Sequence, residues 1–163
     1  MNLSIIACID LNRATSDNNT LPLCKKHQRK LKRLTKFNTV LMGRKAQDFF
    51  QKPFVATRNV IFSKDKKYCK PNTHVIYNFE NGLNILEFWK KELFFIGGNS
   101  TFKKAFPYCD KLYLTELQTT FENPDSFLPE IDPKEWKLVS EEFHEKDIWN
   151  EYDFKFKVYE RLD

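Results

Sequence analysis

The sequence predicts an α/β fold: a mixed, mostly parallel sheet with helices on both faces and an antiparallel edge formed by the C-terminal part of the chain. Three observations carry this prediction. Short apolar, β-branched runs alternate with helical patterns as far as Pro107, the alternation that builds parallel βαβ units. Beyond Pro107 the helical patterns stop, and two long strand-like stretches follow a Pro-marked turn region, a hairpin-like ending. Three of the four glycines stand where an apolar run gives way to a helical pattern, as at the carboxyl ends of parallel strands.

Taken in order, Ser4–Ile9 reads as a short buried strand, and the polar, Asn- and Asp-rich Leu11–Pro22 as a loop. Lys25–Phe37 predicts a helix. Leu31 and Leu34 share a stripe, and His27, four residues before Leu31, falls on it too. Thr39–Met42 is a β-branched, apolar strand, and Gly43 opens a helix over Arg44–Phe50. Asn59–Ser63 and Thr73–Tyr77 are further strands, and Gly82–Lys91 is helical in pattern, with Leu83, Leu86 and Trp89 to one side. Leu93–Ile96 is a strand running into Gly97-Gly98, and the helix Ser100–Phe106 is stopped by Pro107. Lys111–Thr115 is a strand, and the long stretches Trp136–Phe143 and Tyr152–Arg161 complete the edge.

A chain of 163 residues suits a single domain, 1–163. Its 16 Phe, 6 Tyr and 3 Trp exclude disorder. No apolar run approaches the roughly 18 residues of a membrane helix, and the first ten residues lack a basic signal-peptide region, so a cytoplasmic protein is expected. Cys8, Cys24, Cys69 and Cys109 are scattered without a CxxC pair, and His27, His74 and His144 are dispersed. Reduced thiols and no metal site are therefore expected.

The net charge of +5 is unevenly placed. Between Asn18 and Gln47 there is no acid, while Lys25, Lys26, Arg29, Lys30, Lys32, Arg33, Lys36, Arg44 and Lys45 are all cations. Elsewhere acids outnumber bases. Such a segment is either a solvated helix face or a site for an anion such as a phosphorylated cofactor. Aromatics interleaved for base stacking are absent from the Lys25–Lys36 helix, so nucleic acid is not expected as a partner.

Two strand–Gly–helix junctions are the most informative motifs. In Val40-Leu41-Met42-Gly43-Arg44-Lys45 a strand meets a glycine and then two cations. In Phe94-Phe95-Ile96-Gly97-Gly98-Asn99-Ser100-Thr101-Phe102 a buried strand meets two glycines and a run of side-chain donors. Each is either a plain tight turn or a place where backbone approaches a phosphorylated ligand closely. Neither is GxGxxG and no P-loop occurs, so a bound nucleotide would be held by a different fold.

With Asn59-Val60-Ile61-Phe62-Ser63, Lys111-Leu112-Tyr113-Leu114-Thr115 and Phe127-Leu128-Pro129, these junctions follow one another in an order that resembles the dihydrofolate reductase family. Ser4-Ile5-Ile6-Ala7-Cys8 resembles the family's first strand, Leu21-Pro22 the end of its mobile loop, and the likeness extends through Asp125 and Glu142-Phe143-His144 to Arg161. The resemblance implies an eight-stranded sheet, NADPH as cofactor and a small dihydropterin or folate as substrate, with hydride passing to a ring carbon and a proton to the adjacent nitrogen. It implies cofactor contacts from Ala7, Cys8, Gly43, Arg44, Lys45, Ala46, Ser63, Lys64, Gly97, Gly98, Asn99, Ser100, Thr101 and Asp125. Arg44, Ser63 and Lys64 would favour the 2′-phosphate of NADPH, since a dianion suits cations beside a hydroxyl. Ile6, Gln28, Leu31, Phe50, Phe54, Ile96 and Thr115 would contact the substrate. In the family the Gly-Gly bond is often cis. A monomer is expected.

Departures concentrate on the substrate side. The family's helix carboxylate falls on His27, or on Gln28 if the match slips by one. Leu23 stands for a Trp, Ser16 for a Gly, Ala46 for a Thr, Phe102 for a Tyr, and Thr57, with Arg58 beside it, for the Arg that clasps the substrate's carboxylate. His27 is therefore either a general acid, since a free imidazole has a pKa of about 6.5, or a helix-surface residue among lysines. His74, His144, Trp136 and Trp149 read as structural. The function expected is NADPH-dependent reduction of dihydrofolate. The alternatives are a non-catalytic NADPH-binding relative and a reductase of another pterin-like heterocycle.

Overall fold

The computed structural model describes residues 2–22, 24–89 and 91–163. Eight strands form one sheet: β1 (Leu3–Ile9), β3 (Thr39–Gly43), β4 (Arg58–Phe62), β5 (His74–Ile76), β6 (Leu93–Gly97), β7 (Lys111–Leu117), β9 (Trp136–His144) and β10 (Phe154–Arg161). Their order is β5-β4-β3-β6-β1-β7-β10-β9, parallel from β5 to β7, with β10 antiparallel to both of its neighbours. The mixed sheet and its antiparallel C-terminal edge are as expected.

Alternation along the central strands sorts side chains onto two faces. Ile5, Ala7 and Ile9 of β1, Leu41 of β3 and Phe95 of β6 enter one core, covered by helices α3 (Phe79–Glu87) and α4 (Asn99–Ala105) through Leu83, Leu86, Phe102 and Ala105. Ile6, Val40, Met42, Phe94 and Ile96 enter the other, against Leu31 of α1 (Lys25–Thr35) and Ala46 of α2 (Arg44–Phe50). Leu31 is almost fully buried; removing it to Ala is expected to cost about 2–5 kcal/mol.

Helix α1 is rich in Lys, Arg, Leu and Gln, with no Gly or Pro, so propensity favours it. It buries His27, Leu31 and Thr35, one residue per turn, and turns its exposed cations to solvent. Cys24 at its start makes no side-chain cap. Asn150 does that work from across the fold: its Oδ1 accepts from the Lys26 amide at 3.2 Å. Helix α3 begins three residues ahead of the predicted Gly82, because the Asn78 side chain accepts from the Asn81 amide at 2.9 Å and caps the turn there. Phe106–Tyr108 continue α4 as a single 3-10 turn that includes Pro107.

One region differs in kind. Within the expected loop Leu11–Pro22, residues Ala14–Asp17 form β2, paired antiparallel with β8 (Pro124–Phe127). Both strands are four residues long, and their polar side chains show no alternation. They are held by hydroxyl and carboxylate contacts more than a hundred residues apart in sequence, which no local pattern reports. Among the described residues no helix is long and apolar enough to cross a membrane, and no His, Cys, Asp or Glu cluster could hold a metal ion.

Candidate active site

The two glycine junctions meet. β3 and β6 are parallel neighbours, with Met42 in register with Gly97. A Cβ built on Gly43 would stand 3.7 Å from the Gly98 amide nitrogen and 3.4 Å from Thr101 Oγ1. Gly97 has φ +146°, a conformation L side chains rarely adopt, and a Cβ there would press on Ala46 at 3.1 Å. The Gly97-Gly98 peptide is cis. Backbone therefore lies bare at the carboxyl ends of two adjacent strands, beside the buried hydroxyl of Thr101 and a buried Asn99 side-chain oxygen that lacks a hydrogen-bond partner. Ser100 is exposed at the same edge.

Arg44, at the start of α2, reaches the loop after β4. Its guanidinium lies 3.8 Å from Asp65 and 4.7 Å over the Tyr68 ring. Ser63 is buried there, its hydroxyl accepting from the Asp65 amide at 3.2 Å, with Lys64 exposed next to it. Arg44, Ser63 and Lys64 are thus gathered, and the bare glycine surface, the hydroxyl and the cations fit a phosphorylated dinucleotide. Asp65 is a member of this group that the sequence reading missed.

Beside the junctions runs a cleft. Its inner part, lined by Ile6, Ala7, Cys8, His27, Phe50 and Ile96, has a volume of about 30 Å³. That is room for a water or two (each needs about 10–15 Å³), so an entering ring must displace the lining. Leu21, Pro22 and Phe49 close this part and are half-buried. The outer part opens to about 770 Å³ along Gln28, Leu31, Phe50 and Phe54. Phe50 and Phe54 pack edge to face, with centroids 5.0 Å apart. The expected substrate residues therefore line two neighbouring cavities that share Gln28, Phe49 and Phe50, with Thr115 on the far side of His27.

His27 lies on the buried face of α1, which overturns the helix-surface alternative. Its Nδ1 is 2.7 Å from Thr115 Oγ1 on β7, so His27 faces the strand, while Gln28 lies at the boundary between inner and outer cleft. Burial, and then the charge of Lys30 one turn on, lower the His27 pKa to about 4. The imidazole is neutral at pH 7. The Cys8 and Cys24 thiols are also held above their ordinary pKa, chiefly by burial.

Three further positions stand apart from the cleft lining described so far. Asp125 lies on β8, within reach of the Lys45 charge. Its carboxylate accepts from the Ser16 hydroxyl and the Asn19 amide and so ties β8 to the β2 loop, with its pKa lowered chiefly by the Ser16 bond. The Arg58 guanidinium stacks 3.9 Å over Trp89, while Thr57 lines the outer cleft together with the cations Lys32, Lys36 and Lys52. The Leu23 position lies outside the described residues. Phe49 and Thr15 were missed. The Phe49-Phe50 pair was a legible signal for the first; nothing local marked Thr15.

With this geometry in place, comparison with known proteins is direct. The sequence profile of the family described as "Dihydrofolate reductase" matches residues 2–161. A dihydrofolate reductase from Bacillus subtilis (strain 168) is 32% identical over 160 residues, covering 98% of this chain and 94% of that protein. One from Staphylococcus haemolyticus is 29% identical over 163 residues, covering 99% and 97%. The solved structure of the Enterococcus faecalis dihydrofolate reductase complexed with NADP(H) and RAB-propyl superposes with a TM-score of 0.89, at 26% identity, over 99% of this chain and 97% of that one.

Proposed function

The chain belongs to the dihydrofolate reductase family, and from that premise we propose that it reduces dihydrofolate to tetrahydrofolate at the expense of NADPH in the cleft beside the paired glycine junctions. The observation that carries this is the abutment of Gly43 and Gly98 next to a passage lined by Ile6, His27, Phe50 and Ile96. NADPH, when bound, supplies the hydride that a dihydropterin ring carbon accepts.

The residues divide the work. Gly43, Gly97 and Gly98 let backbone approach the dinucleotide, with Lys45, Ala46, Asn99, Ser100 and Thr101 around it. Arg44, Ser63 and Lys64 hold the 2′-phosphate, and Arg44 exchanges its contact with Asp65 for that anion. Ala7 and Cys8 border the nicotinamide. Ile6, Leu31, Phe50, Phe54 and Ile96 exclude water from the reacting rings. His27 is a buried polar side chain facing the ring. Its bond to Thr115 fixes one nitrogen and leaves Nε2 for the substrate. A proton donated by His27 would require the imidazolium, so the chemical step would quicken as pH falls toward about 4.

The test is NADPH oxidation followed by absorbance with and without dihydrofolate. Substrate-dependent oxidation supports the assignment. NADPH binding without any dihydrofolate turnover would move it to the second reading, a reductase of another uncharged heterocycle. That reading is favoured by the lack of a carboxylate among the residues lining the inner cleft. The proposal carries with it a cytoplasmic monomer, checked by fractionation and by sedimentation equilibrium.

A further inference from the structure

The inner cleft is unusual in its charge. None of the residues lining it, or lining the smaller pocket on the Thr115 side of His27, is an acid. The helix that walls it carries cations and no acid in its first turn. Among the described residues, the groups facing His27 can be named. On α1 it is Lys30, which also caps the Phe156 ring of β10 at 4.1 Å. At the start of α1 it is Cys24, and on β1 Cys8, both held as neutral thiols. On β7 they are Tyr113 and Thr115; from α2 only Phe49 and Phe50 approach, and from the β2–α1 loop Leu21 and Pro22. The carboxylates that bear on these groups are Glu142 of β9, which acts on Lys30 and is largely exposed, and Asp147, which acts on Cys24 and is exposed.

We propose that this cleft takes its heterocycle uncharged, and that His27, set by Thr115, is the residue that fixes the preference. The inference rests on the reductase reading and names the form of substrate that the site selects. A neutral imidazole offers one polar nitrogen to the ring. If Nδ1–H donates to Thr115 Oγ1, Nε2 accepts from a ring N–H or amino group; with the roles exchanged, Nε2–H donates to a ring nitrogen or carbonyl. Both are hydrogen bonds between neutral groups, and both suit a 2-amino-4-oxo ring. A protonated ring would bring a positive charge into a desolvated site that holds no anion and borders Lys30, which is unfavourable on both counts.

The experiment is calorimetric titration of the full chain saturated with NADPH. The two probes are a 2,4-diaminopyrimidine, which gains a proton near neutral pH, and a 2-amino-4-oxopteridine, which does not, each measured between about pH 5 and 8. The expected result is a diaminopyrimidine affinity that rises about tenfold per pH unit below the ring's own pKa, because only its neutral form binds, with the oxo ring flat across the range. Affinity for the diamino ring that is constant, or greatest when it is protonated, overturns the proposal. The wild-type result decides the matter without any variant. His27→Asp, checked for folding by circular dichroism, is expected to reverse the slope; a folded variant with an unchanged slope would show that His27 does not set it and overturn that assignment. Dihydrofolate turnover is measured alongside. Its absence with the ring preference intact overturns the reductase reading and supports the charge preference. Failure of both rings to bind overturns both.

Discussion

The cofactor half and the substrate half of this site are built on opposite terms. Around the glycine junctions, the chemistry resides in backbone and in surface cations: Gly43, Gly97 and Gly98 are needed for what they lack, and Arg44 is half-exposed and free to exchange partners. In the cleft, it resides in one buried side chain, His27, whose properties depend on Thr115 and Lys30. A surface made of bare backbone tolerates little change in its residues, because any Cβ fills it. A buried polar group can be exchanged for another if its partner remains.

Four measurements can break or sharpen that contrast. The largest effect is expected from His27→Asn, which should lower the reductase rate roughly 10²–10⁴-fold if His27 donates the proton, with NADPH affinity unchanged. The wild-type rate should carry a limb that rises as pH falls toward about 4, absent in the variant. A variant with an unaltered pH–rate profile would remove His27 from the chemistry.

Next comes stability against pH. The folded-state pKa of His27 is depressed to about 4, from about 6.5 in the unfolded chain, so between these values the unfolded state binds more protons. The stabilisation from keeping this ring neutral is complete above about pH 6.5 and is lost as pH falls to about 4. It amounts to about 3 kcal/mol. Urea unfolding at a series of pH values should show that loss, and His27→Asn should flatten it.

On the cofactor side, Arg44→Ala should weaken NADPH about 10- to 100-fold and leave NADH nearly untouched, because charge-assisted hydrogen bonds contribute roughly 1.5–3 kcal/mol. Equal losses for both dinucleotides would place Arg44 elsewhere than the 2′-phosphate. The smallest effect concerns Gln47 of α2, which is fully buried with both side-chain polar atoms unpartnered. Gln47→Leu should raise stability by about 1–2 kcal/mol in a thermal melt without altering NADPH affinity. A loss of affinity would join Gln47 to the cofactor half.

Much of this was legible before the fold was seen, where a feature is encoded by neighbours along the chain. The strand Leu93–Gly97 followed by helix α4, and the strand Thr39–Gly43 followed by α2, are local patterns of apolar run, glycine and helix former, and both appear where the sequence places them. Leu31 and His27 were assigned to one stripe by their spacing of four, and they share the buried face. The β2–β8 ribbon was not legible, because four-residue polar strands have no periodicity to read. The stacking of Arg58 on Trp89 was not legible either, because the two residues lie far apart in sequence.

By itself, then, the amino-acid order determined which segments are strands and helices, where glycine had to stand and how cations gathered on one helix, because these follow from interactions within a few residues. Only the tertiary structure decided that Gly43 would meet Gly98, that Asp125 would hold Ser16, and that Thr115, 88 residues away, would bind His27. The state of that imidazole depends on desolvation and on the charge beside it, quantities that exist only once distant segments have packed around it.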